Sequence, residues 1–208
     1  MAVLPRLLPS RAAARAAAGL LLLAGLCALA GAAAAQQPAG RLELEQGQAK
    51  VRHLEQSRIV RGAGARVELF SGDTVQTDKD SRAKVFMRED RDVVTLYANT
   101  LFEVQSVSAE RTRLGLSLGK AVFTVLAAVR PGAFQLTTPT ATIGVKGTEF
   151  VVGTDGEATF LLTLTGAVGL ISRALAEVEV VAAASEASIA RRGRPPTQPV
   201  QVSPQARE

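Results

Sequence analysis

Few residues in this chain could carry covalent or acid–base chemistry. Its one histidine, His53, lies in Val51-Arg52-His53-Leu54. Strand alternation puts it on one face there, where a surface or half-buried structural role is expected rather than that of a base or metal ligand. Gly115-Leu116-Ser117-Leu118-Gly119 carries the letters of a serine-hydrolase elbow. That device needs a strand-to-helix turn and a nearby base. Here Leu114, Leu116 and Leu118 alternate as a strand, no helical pattern follows, and His53 is the only histidine to serve Ser117. Asp78 and Asp80, and Glu89, Asp90 and Asp92, could offer oxygen ligands to calcium. Both groups are interrupted by Lys or Arg in hairpin-like stretches, so solvated turns are expected. No phosphate-binding loop or dinucleotide fingerprint occurs. The expectation is a protein that is not an enzyme, with no catalytic, cofactor-binding or metal-binding residue.

The elements that would position these residues read as strands. From about residue 42 to 189, stretches of period-two alternation are broken by Gly, Asp, Asn and Pro. The sets Ala83, Val85 and Met87; Phe102 and Val104; Leu114, Leu116 and Leu118; and Ala121, Phe123 and Val125 each mark one inward face. With no tryptophan and 4% aromatic residues, the core must be built mainly from Val, Leu, Ile and Ala. The pattern predicts an all-β domain over residues 41–190, a β-sandwich or a short β-solenoid. Residues 174–190 would suit either a final strand through Val178, Val180 and Val181 or a short helix. From Arg191 the sequence turns to arginine and proline, and residues 191–208 read as a disordered tail that opens on a short basic knot.

Residues 1–35 read as a signal peptide, with three arginines, an apolar run from Ala16 to Ala35 and Ala33-Ala34-Ala35 before a cleavage point ahead of Gln36. The alternative is an uncleaved anchor, since about 20 apolar residues can cross a bilayer. Leu26 stands before Cys27, where lipoprotein processing needs a small residue. Cleavage would leave no cysteine and no stable membrane span. The expected location is the periplasm, with N-terminal anchoring facing that compartment as the alternative. Arg6, Arg11 and Arg15 supply three of the net +5 charges. Elsewhere Lys and Arg are interleaved with Asp and Glu, which is not the footprint of a nucleic-acid binder.

Phe134, Leu136, Thr138, Pro139, Ala141, Val145, Gly147, Thr148 and Phe150 match the pattern F-x-V-x-T-P-x-A-x-x-x-V-x-G-T-x-F. In this the chain resembles the FecR domain family. Gly72, Asp73, Val75 and Thr77 resemble that family's G-D-x-I/V-x-T element, Gly119 to Val125 its next strand, and Leu162 to Val168, with Gly166, its closing hairpin. The resemblance runs over roughly residues 45–172 in the family's order. Physically, Thr138-Pro139 must stop or redirect a strand, Gly147 permits a tight turn, Thr148 can bond locally to it, and Phe150 then enters the core. These positions are therefore expected to form a structural corner. Signalling members resembling the ferric-citrate regulator hold a sigma factor on a cytoplasmic segment, whereas 15 residues precede Ala16 here. The resemblance thus implies a stand-alone exported module that binds an envelope protein or polymer. The alternative is a sensory component working in trans with a separate membrane regulator.

Overall fold

The computed structural model describes residues 37–126, 132–145, 147–175 and 178–203; the proposed signal peptide lies outside them. All the regular structure among these residues is β, and no described helix is long and apolar enough to cross a membrane. The compact unit begins at Gln37.

Among the described residues, seventeen strands form two layers joined through one long strand. The first layer runs in the order β4 (Arg66–Leu69), β1 (Gly40–Gln46), β6 (Arg82–Met87), β7 (Asp92–Leu96), β9 (Thr112–Val125), β12 (Thr148–Thr154), β13 (Ala158–Thr165), β16 (Glu186–Arg191) and β17 (Val200–Gln201). The second runs β3 (Gln56–Arg61), β2 (Gln48–His53), β5 (Asp73–Thr77), β8 (Leu101–Val107), β9, β10 (Phe134–Thr137), β11 (Ala141–Val145), β14 (Ala167–Ser172) and β15 (Glu179–Ala183). Among the described strands only β9 and β10 pair in parallel. Antiparallel pairing in two facing layers is the sandwich alternative, since stacked solenoid coils would pair mostly in parallel.

β9 serves both layers. Its first half pairs with β8 and β10, and its second half with β7 and β12. The transfer sits at Gly119, with φ +94°. It also resets the side-chain alternation: Leu114 and Leu116 point inward before it, and Ala121, Phe123 and Val125 after it. Leu118, expected in the core by simple alternation, falls between the two phases and is 46% exposed. A register shift opposite Leu101 and Phe102 absorbs the extra residue.

Side chains from the two layers close one core. Phe123 stacks on Phe150 at 4.9 Å, both from the first layer, and Phe134 of the second meets them edge-on at 6.3 and 6.5 Å. Gly40 to Gln46 and the other inward-facing strands complete it with Leu42, Leu44, Val85, Phe102 and Ile143, all fully buried.

At the C-terminal side an open alternative resolves to strand and one expectation is revised. Residues 174–190 form no helix where described; β15 and β16 are antiparallel neighbours of β14 and β13, linked by a turn at Ser185 with φ +69°. Residues 194–202, expected to be disordered, lie against β16. Ser188 donates its hydroxyl to the Thr197 carbonyl at 2.7 Å, Ile189 N–H reaches the Thr197 hydroxyl, and Pro196 is buried. Polar contacts to a sheet edge thus order a segment whose composition offers little apolar area. The basic knot is likewise tied down, because Arg192 bonds Glu157 at 2.9 and 3.0 Å.

Candidate functional site

The residues singled out for chemistry do not converge. Ser117 is exposed near the Gly119 end of the second layer. His53 lies toward the opposite end, with β5 and β8 between β2 and β9. Three interstrand steps alone separate β2 from β9 by about 14 Å, so no nucleophile–base pair forms. His53 instead bonds through Nδ1 to the Asp73 carboxylate and packs on Phe70 at 5.4 Å between ring centres. Asp73, 1% exposed, also accepts the Phe70 N–H at 2.9 Å, while its own N–H closes a turn to the Phe70 carbonyl. Gly72, φ +93°, occupies the third position of that turn, where glycine is required. The Gly-Asp element therefore pins a layer crossing with a buried carboxylate.

The other motif residues also lie at turns and crossings, divided between the two ends of the sandwich. Thr77 donates its hydroxyl to the Tyr97 carbonyl and accepts the Thr100 N–H, holding the β7–β8 crossing to β5. Thr138 and Thr140 flank Pro139 in the β10–β11 turn, and both hydroxyls meet that of Thr159 on β13 at 2.7 Å. Thr138 accepts the Ala141 N–H at 3.0 Å and also reaches the Ala141 carbonyl at 3.1 Å, and Thr140 reaches the Ala190 carbonyl at 3.1 Å, so three hydroxyl protons serve four contacts. At the other end, Gly147 and Gly166 mark adjacent crossings, with φ +74° and +75°. Thr148, expected to bond its turn, presents its methyl to Gly166 instead, and its buried hydroxyl has no partner among the described residues.

Three of the five acidic groups considered for calcium, Asp78, Asp90 and Asp92, are engaged. Asp92, fully buried, holds Arg88 through two contacts of 2.5 and 2.6 Å, and raises that guanidinium above its ordinary value by hydrogen bonding. Asp78 accepts from Gln48 at 2.6 Å and from the Lys79 N–H, and its carboxyl is held below the usual range, mostly by the Gln48 bond. Among the described residues no three acidic, histidine or cysteine side chains gather as a metal site would require. A cleft of about 610 Å³ opens beside Arg41, Phe86 and Arg88. Two of its three arginines are already bonded, Arg41 to Asp90 and Arg88 to Asp92.

Residues 73–169 match the family described as FecR protein. The chain carries a FecR domain. No curated protein matches it. Two crystal structures of a candidate anti-sigma factor from Parabacteroides distasonis ATCC 8503, at 1.65 and 2.50 Å resolution, share the fold. Each is 19% identical over 64% of this chain, with a TM-score of 0.53. The match spans 61% of that protein's chain.

The FecR domain runs from β5 into β14, so β1 to β4 and β15 to β17 lie outside the matched residues. Those additions supply every edge of the two layers among the described strands: β4 and β17 in the first, β3 and β15 in the second. Edges offer unpaired backbone groups and are normally blunted. β3 carries Arg58 and Arg61; β4 is four residues long and includes Arg66 and Glu68; β17 has two residues, with Pro199 just before it. β15 is different. After Glu179 it reads Val180-Val181-Ala182-Ala183, with Val181 58% exposed. Leu175 and Val178, exposed at the adjoining turn, extend the apolar strip. The sequence marked this stretch only as a valine run of uncertain structure.

Proposed function

We propose that the chain is an exported, non-enzymatic protein-binding module of the bacterial envelope that takes up an extended segment of another envelope protein against β15. The observation carrying this reading is the open edge of β15, which is almost uncharged and carries the exposed Val181. Strand addition obtains affinity from main-chain hydrogen bonds and selectivity from alternate side chains. The FecR domain and the likeness to an anti-sigma candidate support a regulatory setting, with the module sensing in the periplasm and a separate membrane protein passing the signal on. The motif residues, including Gly72, Asp73, Thr138, Pro139, Gly147 and Gly166, would then serve to hold the edge in place rather than touch the partner.

A photoreactive side chain placed at Val181, and separately at Ile59 on the basic edge β3, tests the reading in the native host. The expected result is a discrete adduct with one envelope protein from position 181 and none from 59. Equal labelling at both positions, or none at 181, would overturn it.

A further inference from the structure

We propose that β15 also pairs with β15 of a second copy of this chain, antiparallel about a two-fold axis, so that self-association covers the edge a partner would use. The inference rests on the reading of β15 as the docking strand.

The hydrogen bonds already made by β15 determine which register is open. Ala183 N–H points away from β14 and is accepted by the Glu186 carboxylate at 2.7 Å. Backbone groups alternate sides along an antiparallel strand. Val181 and Glu179, in the same phase as Ala183, therefore direct their N–H and C=O groups outward, while Val180 and Ala182 face β14. Several self-complementary registers fit this phase, and those that use Ala183 need its N–H; two of them pair Val181 with itself or with the Glu179 half of the strand. One sets Val181 opposite Val181 of the partner subunit and Ala183 opposite the partner's Glu179. It needs the Ala183 N–H, which Glu186 occupies. The other sets Glu179 opposite the partner's Val181, twice by symmetry, with the two Val180 residues facing each other. It makes four main-chain hydrogen bonds from groups that have no other role and leaves the Glu186 contact intact.

Side-chain chemistry favours the same choice. Each Glu179 meets a valine across the strands rather than a second carboxylate, so no like charges are directly opposed. Val181, at 58% exposed, becomes covered, and Leu175 and Val178 stand at the rim of the joint surface. Glu186, also held by Gln201 at 3.2 Å, stops the pairing from running past Val181. A two-fold contact of this kind uses one patch on both subunits and closes at the dimer.

Sedimentation equilibrium of the purified chain is expected to show a monomer–dimer equilibrium. Val181→Glu, which would face the partner's Glu179, should weaken it by at least about tenfold, while Ile59→Glu leaves it unchanged. In a Cys27→Ser background, oxidising a mixture of Glu179→Cys and Val181→Cys chains should yield a cross-linked dimer. Val181→Cys alone should not, because its thiols would lie on a diagonal, beyond disulfide reach. A chain monomeric at every concentration, a dimer indifferent to Val181→Glu, or cross-linking by Val181→Cys alone would each overturn the proposal. A synthetic peptide copying residues 178–184 separates the two readings. If the chain stays monomeric but the peptide protects the Val181 amide from hydrogen exchange, self-pairing falls and the docking edge stands. If neither occurs, both fall.

Discussion

A β-carbon on Gly119 would lie 2.6 Å from the Thr100 α-carbon and 2.8 Å from the Asn99 carbonyl oxygen. The long strand β9 can change layers only because that position is empty, for the β7–β8 crossing runs directly beneath it. Thr100 completes the junction by donating its hydroxyl to the Lys120 carbonyl and accepting the Lys120 N–H.

Gly119→Ala should therefore destabilise the fold by roughly 2–5 kcal/mol, combining left-handed backbone strain with a backbone overlap that cannot relax cheaply. Gly144→Ala is the contrasting case. Gly144 lies on the outer side of β11 with open space where a β-carbon would go and no left-handed φ. Relief of unfolded-state entropy should make that variant as stable as the parent or more stable, by up to about 1 kcal/mol. Denaturant midpoints of the two variants against the parent check both.

The hydroxyl chain through Thr138, Thr159 and Thr140 ties the Thr-Pro turn of one layer to strands of the other. Thr159 is completely buried, so replacing its hydroxyl by a methyl group leaves two neighbouring hydroxyls short of a partner without changing shape. Thr159→Val should cost about 1–3 kcal/mol. A double-mutant cycle with Thr138→Val should show coupling between the two, because they act in one chain. Additive losses would mean that the hydroxyls act separately.

Much of this architecture could be read from residue order, and the exceptions have physical causes. Ala83, Val85, Met87, Phe102 and Val104 point inward as their alternation predicts, because each lies in a strand that stays within one layer. Leu118 breaks the pattern because β9 changes layer beside it, and alternation carries no signal for such a transfer. The His53–Asp73 contact joins residues 20 apart with β3 and β4 between them, and neither residue has a local motif that announces the other. The candidate site was the least legible part. Alanine and valine in β15 suit helix or strand equally by propensity, and its place at an edge depends on what pairs beside it.

Arg88 lies in the β6–β7 turn with Glu89 and Asp90, all three in left-handed backbone, at φ +49°, +57° and +66°. Such conformations are held by their surroundings. Here the holding contact is the two-pronged bond from Arg88 to the buried Asp92. Arg88→Met keeps most of the side chain's bulk but leaves Asp92 buried without its cation, at an expected cost of roughly 2–4 kcal/mol. The double variant Arg88→Met with Asp92→Asn should recover part of that loss. Thermal unfolding of the three variants measures it, and a double variant worse than Arg88→Met alone would show that the pair is not the holding contact.

Asp155 closes the β12–β13 hairpin by accepting the Ala158 N–H at 2.8 Å and the Glu157 N–H at 2.9 Å. Those bonds, the Ala158 bond first, hold its carboxyl below the ordinary value of 3.8. A carboxyl lowered on folding contributes stability that is fully present above its unfolded value and is lost as the pH falls through its folded value. Asp155→Ala should accordingly be less stable than the parent at neutral pH. The gap should begin to close below about pH 4 and should vanish once the parent's own carboxyl is protonated. Urea midpoints for parent and variant, measured from neutrality into acid, give the comparison directly. A gap that stays constant through the acid range would show that Asp155 supports the turn through its shape rather than its charge.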